Sequence, residues 1–410
     1  MTLNSTFTKE LEVVENLIKK DLNKENIISG LYKYIFKSSG KKMRARLSLI
    51  SSSIFKHKDR YKLAAIIELL HTATLVHDDV VDNSPTRRGN KSVNSIWTNS
   101  HGVLIGDYIY SKAFILMVEI GNKKILKELA NATNDISQGE LIQLDAINNI
   151  DITLNKLKKI SYYKTGRLFE ASAKTGALLS KINKSYIDNI TECAKNLGIL
   201  FQIKDDLLDY SKNMDLGKPS FQDLREGKVT YPFFFAFKNA SLEDQKKLKG
   251  FLGTKKLNEK KAKSLIDDLS GIKKTQQLAE KYHIKTIECA KNLGILFQIK
   301  DDLLDYSKNL DLGKPSFQDL REGKVTYPFF FAFKNASLED QTELKGFLGT
   351  KKLNKKKAKL LIDDLNGIKK TQQLAEKYHI KTIECAKRIK NKAVCKEMIE
   401  LANVAINREK

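Results

Sequence analysis

Apolar residues recur at spacings of three and four along almost the whole chain, and alternating apolar and polar positions are absent. Such spacing puts apolar side chains on one face of an α-helix, whereas a half-buried strand would alternate. The pattern therefore predicts an all-α fold, a helical bundle. The clearest helices are expected to pass through Leu11 and Leu22 and to cover Ala64–Asp82, Val103–Met117, Ile125–Leu144, Leu157–Ala173 and Tyr186–Tyr210.

Acidic residues close the second of these predicted helices, in the sequence HDDVVD. Asp78 and Asp82 are four residues apart, so they share a helix face about 6 Å apart along the axis, with Asp79 beside them. Paired arginines, Arg87 and Arg88, follow. A solvated acidic face is the ordinary explanation of a lone motif of this kind. Because an apolar stretch precedes it here, we expect instead a buried helix end that holds a diphosphate through Mg²⁺, with the arginines on the phosphates.

A second motif with the same spacing lies in FQIKDDLLDY, where the acidic residues are Asp205, Asp206 and Asp209. Two such helices facing each other across a bundle would form one pocket with six carboxylates. Hard divalent cations prefer oxygen ligands, and Mg²⁺ commonly takes one or two carboxylates together with substrate phosphates. The two motifs together predict one site for a magnesium-bound diphosphate.

Part of the chain occurs twice. Glu192–Ile287 and Glu288–Ile383 align without gaps and differ at six of 96 positions, and without one copy the chain would have 314 residues. Two copies without a third do not make a repeat array. The segment ECAK begins each copy and recurs at Glu384, so a slip between identical segments would copy the residues between them, by recombination or by an error of sequence assembly. We predict a bundle over 1–287, a second copy of 192–287 over 288–383, and a tail helix over 384–410.

Each copy carries an acidic motif, and only one is expected to act. The first copy follows SYIDNIT, Ser185–Thr191, which is the original neighbour of this helix in the bundle. The second motif, Asp301, Asp302 and Asp305, follows a segment that belongs to the tail. We therefore expect the first copy to serve the site, with the second packed outside the bundle or at a subunit contact. The opposite arrangement, in which the second copy enters the bundle, stays open.

Composition narrows the function classes. The net charge is +24, but the lysines are scattered through helical segments rather than gathered in a stripe with aromatics, so nucleic acid is not an expected partner. Three of the four cysteines, Cys193, Cys289 and Cys385, occupy the same position in three copies of the segment ECAK. Cys395 is the fourth, and this distribution does not indicate a set of disulfide bonds. The first residues contain no apolar signal region, and Tyr231–Phe237 is too short to span a bilayer. A cytoplasmic location is expected.

The paired DDxxD motifs and their flanks resemble those of the trans-polyprenyl diphosphate synthases, most closely the long-chain branch that makes quinone side chains. The resemblance runs from about Gly40 to the C-terminus. It implies an isoprenoid synthase-type bundle that condenses isopentenyl diphosphate with an allylic prenyl diphosphate, head to tail. The implied all-trans product is about C30–C40, since lengthening costs little while apolar surface is buried. A homodimer, about three Mg²⁺ per site and membrane contact for product release also follow from the family.

Residue by residue, the resemblance assigns roles to the matching positions. The catalytic residues that it implies are the three of the first acidic motif, Asp78, Asp79 and Asp82, together with Arg87, Lys164 and Asp205. The metal ligands that it implies are Asp78, Asp82, Asp205 and Asp209. Isopentenyl diphosphate is expected at Lys41, Arg44, His71 and Arg88, although a lone His on a helix face is more often a core residue. The allylic diphosphate is expected at Arg87, Lys164, Thr165, Lys218 and Lys228, with Gln202 beside the second motif.

Three further positions carry expectations. The family usually has Pro where this chain has Ala45, which would loosen the entry to the helix. Gln138, Glu140 and Gln143 could orient the metal site, but we expect a polar outer face. Thr74 and Ala73 stand about 6–7.5 Å below Asp78 on its helix, and their small size leaves the path of a growing chain open.

Two alternatives accompany this interpretation. A class I terpene cyclase also opens with DDxxD, but cyclases usually carry a mixed Asn/Ser/Glu second motif, whereas this chain has DDLLD. A catalytically inactive partner subunit is the non-enzyme alternative, because the duplicated segment would hinder closure of the bundle. An elongation assay separates all three.

Overall fold

A computed structural model describes residues 8–20, 25–37, 40–53, 57–87, 89–180, 184–211, 220–306, 317–350 and 353–374. Arg88 and Lys218 lie outside the described residues, and so does the predicted tail helix. For 291–305, which include the second copy's acidic motif, only the backbone is described. The described chain forms two compact units, one up to Ile287 and one from Glu288 onward. The predicted domain limits stay a prediction.

The described chain is mostly helical and has almost no strands, which confirms the predicted all-α class. None of its helices is both long enough and apolar enough to cross a bilayer. In the first unit the elements are α1 Thr8–Lys19, α2 Asn26–Ile35, α3 Met43–Ser51, α4 Arg60–Val81, β1 Thr86–Arg87, β2 Asn90–Lys91, α5 Val93–Ile96, α6 Asn99–Ile120, α7 Lys123–Asp145, α8 Leu154–Ser161, a π-helix Tyr162–Gly166, α9 Arg167–Leu179, α10 Lys184–Asp209, α11 Gln222–Arg225, α12 Tyr231–Asn239, α13 Leu242–Phe251 and α14 Glu259–Asp268. Then follow α15 Gly271–Asp305, α16 Gln318–Arg321, α17 Tyr327–Asn335, α18 Leu338–Phe347 and α19 Lys355–Asp364.

Helix α4 is the centre of the first unit and packs against α1, α3, α6 and α9. Its apolar residues between Leu63 and Leu70 are fully buried, and α3 is buried along its whole length. Side-chain caps fix where the neighbouring helices begin. The Thr98, Asn122 and Thr153 side chains accept backbone N–H groups in the first turns of α6, α7 and α8. The packing of α4 and the capped starts of its neighbouring helices therefore fix the position of the acidic end of α4 in the bundle.

Three local features differ from the predicted helices. Strands β1 and β2 form a two-residue antiparallel ribbon after α4, too short to leave an alternating pattern in the sequence. Gly89 at its turn has a φ of +77°, a conformation that favours glycine. The predicted helix Leu157–Ala173 is interrupted, because the π-helix separates α8 from α9. Asp82 caps α4 rather than lying within it.

The second unit repeats the small fold that the same sequence adopts in the first. Helices α16 to α19 follow the order of α11 to α14. The Tyr306 hydroxyl lies 2.8 Å from Thr326 Oγ1, as Tyr210 lies 2.8 Å from Thr230. The unit has an apolar core of its own, which includes Tyr306, Phe317, Leu320, Phe329, Ala332, Leu344, Phe347, Ala358 and Ile362.

Candidate active site

A cavity of about 1130 Å³ opens in the first unit between α3, α4, α7, the π-helix and α10. Every candidate site residue that the structure describes lines it. These residues are Lys41, Arg44, His71, Asp78, Asp79, Asp82, Arg87, Lys164, Thr165, Gln202, Asp205, Asp206, Asp209 and Lys228. The two acidic motifs therefore face one space, although their roles in catalysis stay predictions.

The carboxylates of the first motif have different surroundings. Burial raises the pKa of Asp78, and the nearby carboxylates of Glu140 and Asp82 raise it further. Asp79 is buried and accepts both Nε and Nη2 of Arg87, at 2.8 and 2.5 Å. Asp79 was expected among the catalytic residues; its observed contact is with Arg87, whose guanidinium it holds at the cavity wall.

In the second motif, Asp206 is tied into the fold. Gln202 Nε2 and the Tyr231 backbone N–H donate to its two oxygens, at 2.9 and 3.1 Å. Thr165 Oγ1 in turn donates to Gln202 Oε1 at 2.6 Å. Burial raises the pKa of Asp206 to about 7, and Asp223 adds to the shift. Gln202, expected to touch substrate, thus also joins the π-helix to α10.

Asp209 is the carboxylate best placed to take a ligand. Its Oδ1 accepts the Gln222 N–H at 2.8 Å, while its buried Oδ2 has no hydrogen-bond partner. Burial raises the pKa of Asp209, and Asp223 raises it further. A buried carboxylate oxygen without a donor is costly unless a cation or a proton reaches it.

Lys228 forms ion pairs with two acidic residues of the cavity that are distant from one another in the sequence. Its ammonium lies 2.8 Å from Asp82 and 2.7 Å from Glu226, and its side chain is buried. Burial lowers the pKa of Lys228, but Asp223, Asp82 and Glu226 together raise it above the ordinary value. Lys228 therefore carries the positive charge that binding of an anion requires.

Lys164 is held by helix α7. Its Nζ lies 2.8 Å from Glu140 and donates to Gln143. The expectation of a polar outer face is wrong for Glu140 and Gln143, because both line the cavity. Gln138 is exposed, as predicted. Apolar periodicity alone could not separate a polar face turned to solvent from one turned to a polar cavity.

The opposite side of the cavity holds Arg44. Its Nη1 lies 3.0 Å from His71 Nε2, and its guanidinium carbon lies 4.6 Å from the centre of the Phe169 ring. Phe169, on α9, carries no signal in the sequence that would link it to Arg44. The Ala45 N–H, which Pro would lack, donates to buried Glu68 at 3.1 Å, so the helix entry at Ala45 is bonded rather than loosened.

The residues at the cavity fit magnesium in chemical type. The donors are carboxylate oxygens, which Mg²⁺ prefers, and Asp209 Oδ2 is available. Burial, followed by the neighbouring carboxylates, raises the pKa of Asp78 and of Asp209, and a bound cation would favour their ionised forms. Within the described ranges no three His, Cys, Asp or Glu side chains are arranged to hold one ion by themselves.

An all-helical bundle that turns two acidic motifs and several basic residues toward one cavity defines a class of diphosphate-handling enzymes. A model of the family described as Polyprenyl synthetase matches residues 25–269 and 272–365. The chain belongs to the polyprenyl synthetase family and is a prenyltransferase, which confirms the resemblance.

Individual relatives agree. The chain is 36% identical to octaprenyl diphosphate synthase of Escherichia coli over 245 residues, which are 59% of this chain and 76% of that one. It is 38% identical to an all-trans-nonaprenyl-diphosphate synthase of Rhodobacter capsulatus over 238 residues, 57% of this chain and 72% of the relative. The crystal structure of a decaprenyl diphosphate synthase from Rhodobacter capsulatus matches with a TM-score of 0.66 and 30% identity, covering 70% of this chain and 90% of that one.

Proposed function

We propose that the chain condenses isopentenyl diphosphate with an allylic prenyl diphosphate, head to tail, to build an all-trans product of about C30–C40 for a quinone side chain. The observation that carries this proposal is the single cavity that the described candidate residues of both acidic motifs share. The names of the matched relatives, octaprenyl, nonaprenyl and decaprenyl diphosphate synthase, support a long product.

In this mechanism the allylic diphosphate leaves with its electron pair, and the chain's cations stabilise the growing charge. Arg87, fixed by Asp79, and Lys164, fixed by Glu140 and Gln143, are already oriented toward the cavity. Preorganised charges of this kind are usually the largest single contribution to catalysis. When bound by Asp78, Asp82, Asp205 and Asp209, about three Mg²⁺ would add positive charge on the diphosphate. The ammonium of Lys228 adds a further positive charge, whether or not it keeps its ion pair with Asp82.

Isopentenyl diphosphate is positioned by Lys41, Arg44, His71 and Arg88, so that its double bond attacks the allylic carbocation. Arg44 is set for this by the His71 contact and the Phe169 ring. The described side chains offer no dedicated base at this point, and the departing diphosphate accepts the final proton. The apolar residues along the cavity exclude water, which would otherwise capture the cation.

The product chain grows along α4 past Thr74. Thr74 lines the cavity, whereas Ala73 is fully buried in the bundle and does not. Both residues are small, and because Thr74 is the one of the two that lines the cavity, we propose it as the position where a bulky side chain would obstruct a growing product.

A homodimer is part of the proposal. Leu104, Ile115 and Val118 are exposed large apolar residues on α6, and their spacing puts them on one face. Leu141 on α7 is exposed as well. An apolar stripe of this kind favours a protein interface. A cytoplasmic location and contact of the product with a membrane surface complete the proposal.

The first copy is proposed to be the catalytic one. Its Gln202, Asp205, Asp209 and Lys228 line the cavity beside residues of α4 and the π-helix, and α4 occurs once in the chain.

The deciding experiment is an elongation assay with radiolabelled isopentenyl diphosphate, an allylic primer and Mg²⁺, with products resolved by length. Wild-type protein should give long linear products; cyclic products would favour a terpene cyclase, and no product would favour the inactive partner. Thr74→Tyr should shorten the product to about C15–C20 because it fills apolar space, while Ala73→Ser, a matched change beside it, should leave length unchanged. Unchanged length with Thr74→Tyr would place the end of the product tunnel elsewhere.

A further inference from the structure

The π-helix Tyr162–Gly166 carries two of the cavity residues, Lys164 and Thr165. A π-helical turn holds one residue more than the α-helical turn it replaces, and such turns occur often at functional sites. If the extra residue were lost to a regular α-helix, the residues of the turn would rotate by about 100° relative to one flank. The direction in which Lys164 and Thr165 point therefore depends on keeping this turn.

Two glycines on neighbouring helices hold the turn closely. A Cβ atom built on Gly139 of α7 would lie 2.7 Å from the Tyr163 Cβ. A Cβ built on Gly198 of α10 would lie 2.6 Å from the Gly166 Cα. Neither distance is tolerated, so the turn is packed directly against backbone on both sides. These contacts fix its position but do not choose between π and α geometry.

A partly buried polar network lies beside the turn, among residues that do not line the cavity. The Tyr162 hydroxyl, at the start of the turn, donates to Glu170, eight residues later on α9. Arg167, the first residue after the turn, donates through Nε to Asp135 at 2.7 Å and through Nη1 to Glu128 at 2.8 Å, both on α7. The Tyr162–Glu170 bond therefore spans the turn, and Arg167 attaches its end to α7.

We propose that Tyr162 and Glu170 are positioning residues that keep the π geometry and thereby set how tightly Lys164 and Thr165 bind the allylic diphosphate. Neither side chain lines the cavity, so neither touches substrate. The inference rests on the proposed function, in which Lys164 and Thr165 meet the allylic substrate. Isopentenyl diphosphate binds on the opposite side, at Arg44 and His71, and gives an internal reference.

Tyr162→Phe tests the inference, since it removes one hydroxyl and keeps the ring. We expect KM for the allylic substrate to rise about tenfold and KM for isopentenyl diphosphate to stay within about twofold. Ser172→Ala is the matched control, because it removes a buried hydroxyl from α9 that bonds only the Leu168 carbonyl, at 2.5 Å. Glu170→Gln keeps an acceptor for Tyr162 and should stay near wild type, whereas Glu170→Ala should reproduce Tyr162→Phe.

Thermal unfolding of each variant separates positioning from stability. Tyr162→Phe should change the ratio of the two KM values whatever its effect on Tm, whereas Ser172→Ala, which loses a hydroxyl bonded within its own helix, should leave that ratio unchanged. An unchanged ratio in Tyr162→Phe, or an equal change in Ser172→Ala, would overturn the inference. An inactive wild-type protein would instead refute the proposed function, so the two failures are distinct.

Discussion

The two copies of the duplicated segment place identical residues in different surroundings. Lys228 and its counterpart Lys324 occupy the same position of the same small fold, yet their side chains are 8% and 59% exposed. Val229 is 8% exposed and Val325 is 62% exposed. The described partners of Lys324 are Asp319 and Glu322 of its own copy, whereas Lys228 also meets Asp82 of α4.

The two copies also have local hydrogen bonds and helix caps in common. The backbone bond from Gly253 to Leu224 recurs from Gly349 to Leu320, at 2.9 Å in both. Ser241 and Ser337 cap the equivalent helices α13 and α18. The local sequence is therefore sufficient for this small fold, because its turns, caps and apolar core lie within the copy. The cavity is different, since α4 and the π-helix also line it and their sequences occur once in the chain.

The largest effect should come from removing one acidic motif at a time. Asp205→Asn/Asp209→Asn should lower kcat/KM by at least about 100-fold, the scale of losing a preorganised charge site. The matched change in the second copy, Asp301→Asn/Asp305→Asn, should leave turnover within about twofold of wild type. Both are measured as incorporation of radiolabelled isopentenyl diphosphate. If the second pair is the one that abolishes activity, the second copy is catalytic.

Asp78→Ala provides a companion test on the helix that is present once. Turnover should fall by at least about 100-fold, while helical content by circular dichroism stays nearly intact, because the carboxylate is proposed as a ligand rather than as part of the core. Activity within about threefold of wild type would refute its assignment as a metal ligand.

Lys228 and its counterpart Lys324 provide the next test of the difference between the two copies. Lys228→Ala removes a charge that the mechanism uses and leaves Asp82 and Glu226 without their shared cation. We expect kcat/KM to fall about 10- to 100-fold and the protein to lose stability. Lys324→Ala should change neither quantity measurably, since an exposed ion pair contributes little. Steady-state kinetics and thermal unfolding check both variants, and equal effects would contradict the difference in surroundings.

A smaller effect concerns pH and magnesium. Burial raises the pKa of Asp206 to about 7 and that of Asp78 and Asp209 above the ordinary value. A carboxyl with a raised folded pKa contributes stability at low pH, and this contribution is lost as pH rises from about 4 toward about 7. Because Mg²⁺ needs ionised ligands, its addition should raise Tm by about 2–4 °C near pH 8 and less near pH 5.

The control for this measurement is again the other copy. Asp78→Asn/Asp209→Asn should abolish the magnesium-dependent gain in Tm, and Asp301→Asn/Asp305→Asn should preserve it. A gain that survives the first double substitution would show that the ion binds elsewhere.

The smallest effect tests a difference between the copies themselves. Arg225 pairs with Glu259 in the first copy, whereas the equivalent position in the second is Lys355. Glu259→Lys should cost under about 1 kcal/mol of unfolding free energy, because the pair is partly exposed. The reverse change, Lys355→Glu, should stabilise the second copy by a similar amount. Chemical denaturation measures both, and a cost of several kcal/mol would show that this pair holds the first copy together.

The sequence predicted those features that leave a periodic or repeated trace. The acidic motifs, their placement at one cavity and the duplication were all visible, because Asp spacing and self-alignment need no tertiary information. The π-helix was not visible, since one extra residue in a turn leaves the apolar pattern almost unchanged. The inward direction of Glu140 and the contact of Phe169 with Arg44 depend on how α7, α9 and α3 pack. Local patterns carry no record of such contacts.

The cavity lining is divided between the duplicated stretch, 201–230, and earlier stretches within 15–93 and 136–165, and this division has a genetic consequence. If the first copy is the catalytic one, as proposed, a tandem copy of the duplicated stretch alone would not double the catalytic capacity of the gene product, because the earlier stretches are not copied with it. Selection for catalysis then acts on one copy, and the other is restrained only by the need to fold. Of the six divergent positions, those described in the first copy, at 246, 247, 259, 264 and 270, lie outside the cavity lining. Further drift should accumulate first at the exposed counterparts of cavity residues, beginning with Lys324 and Val325.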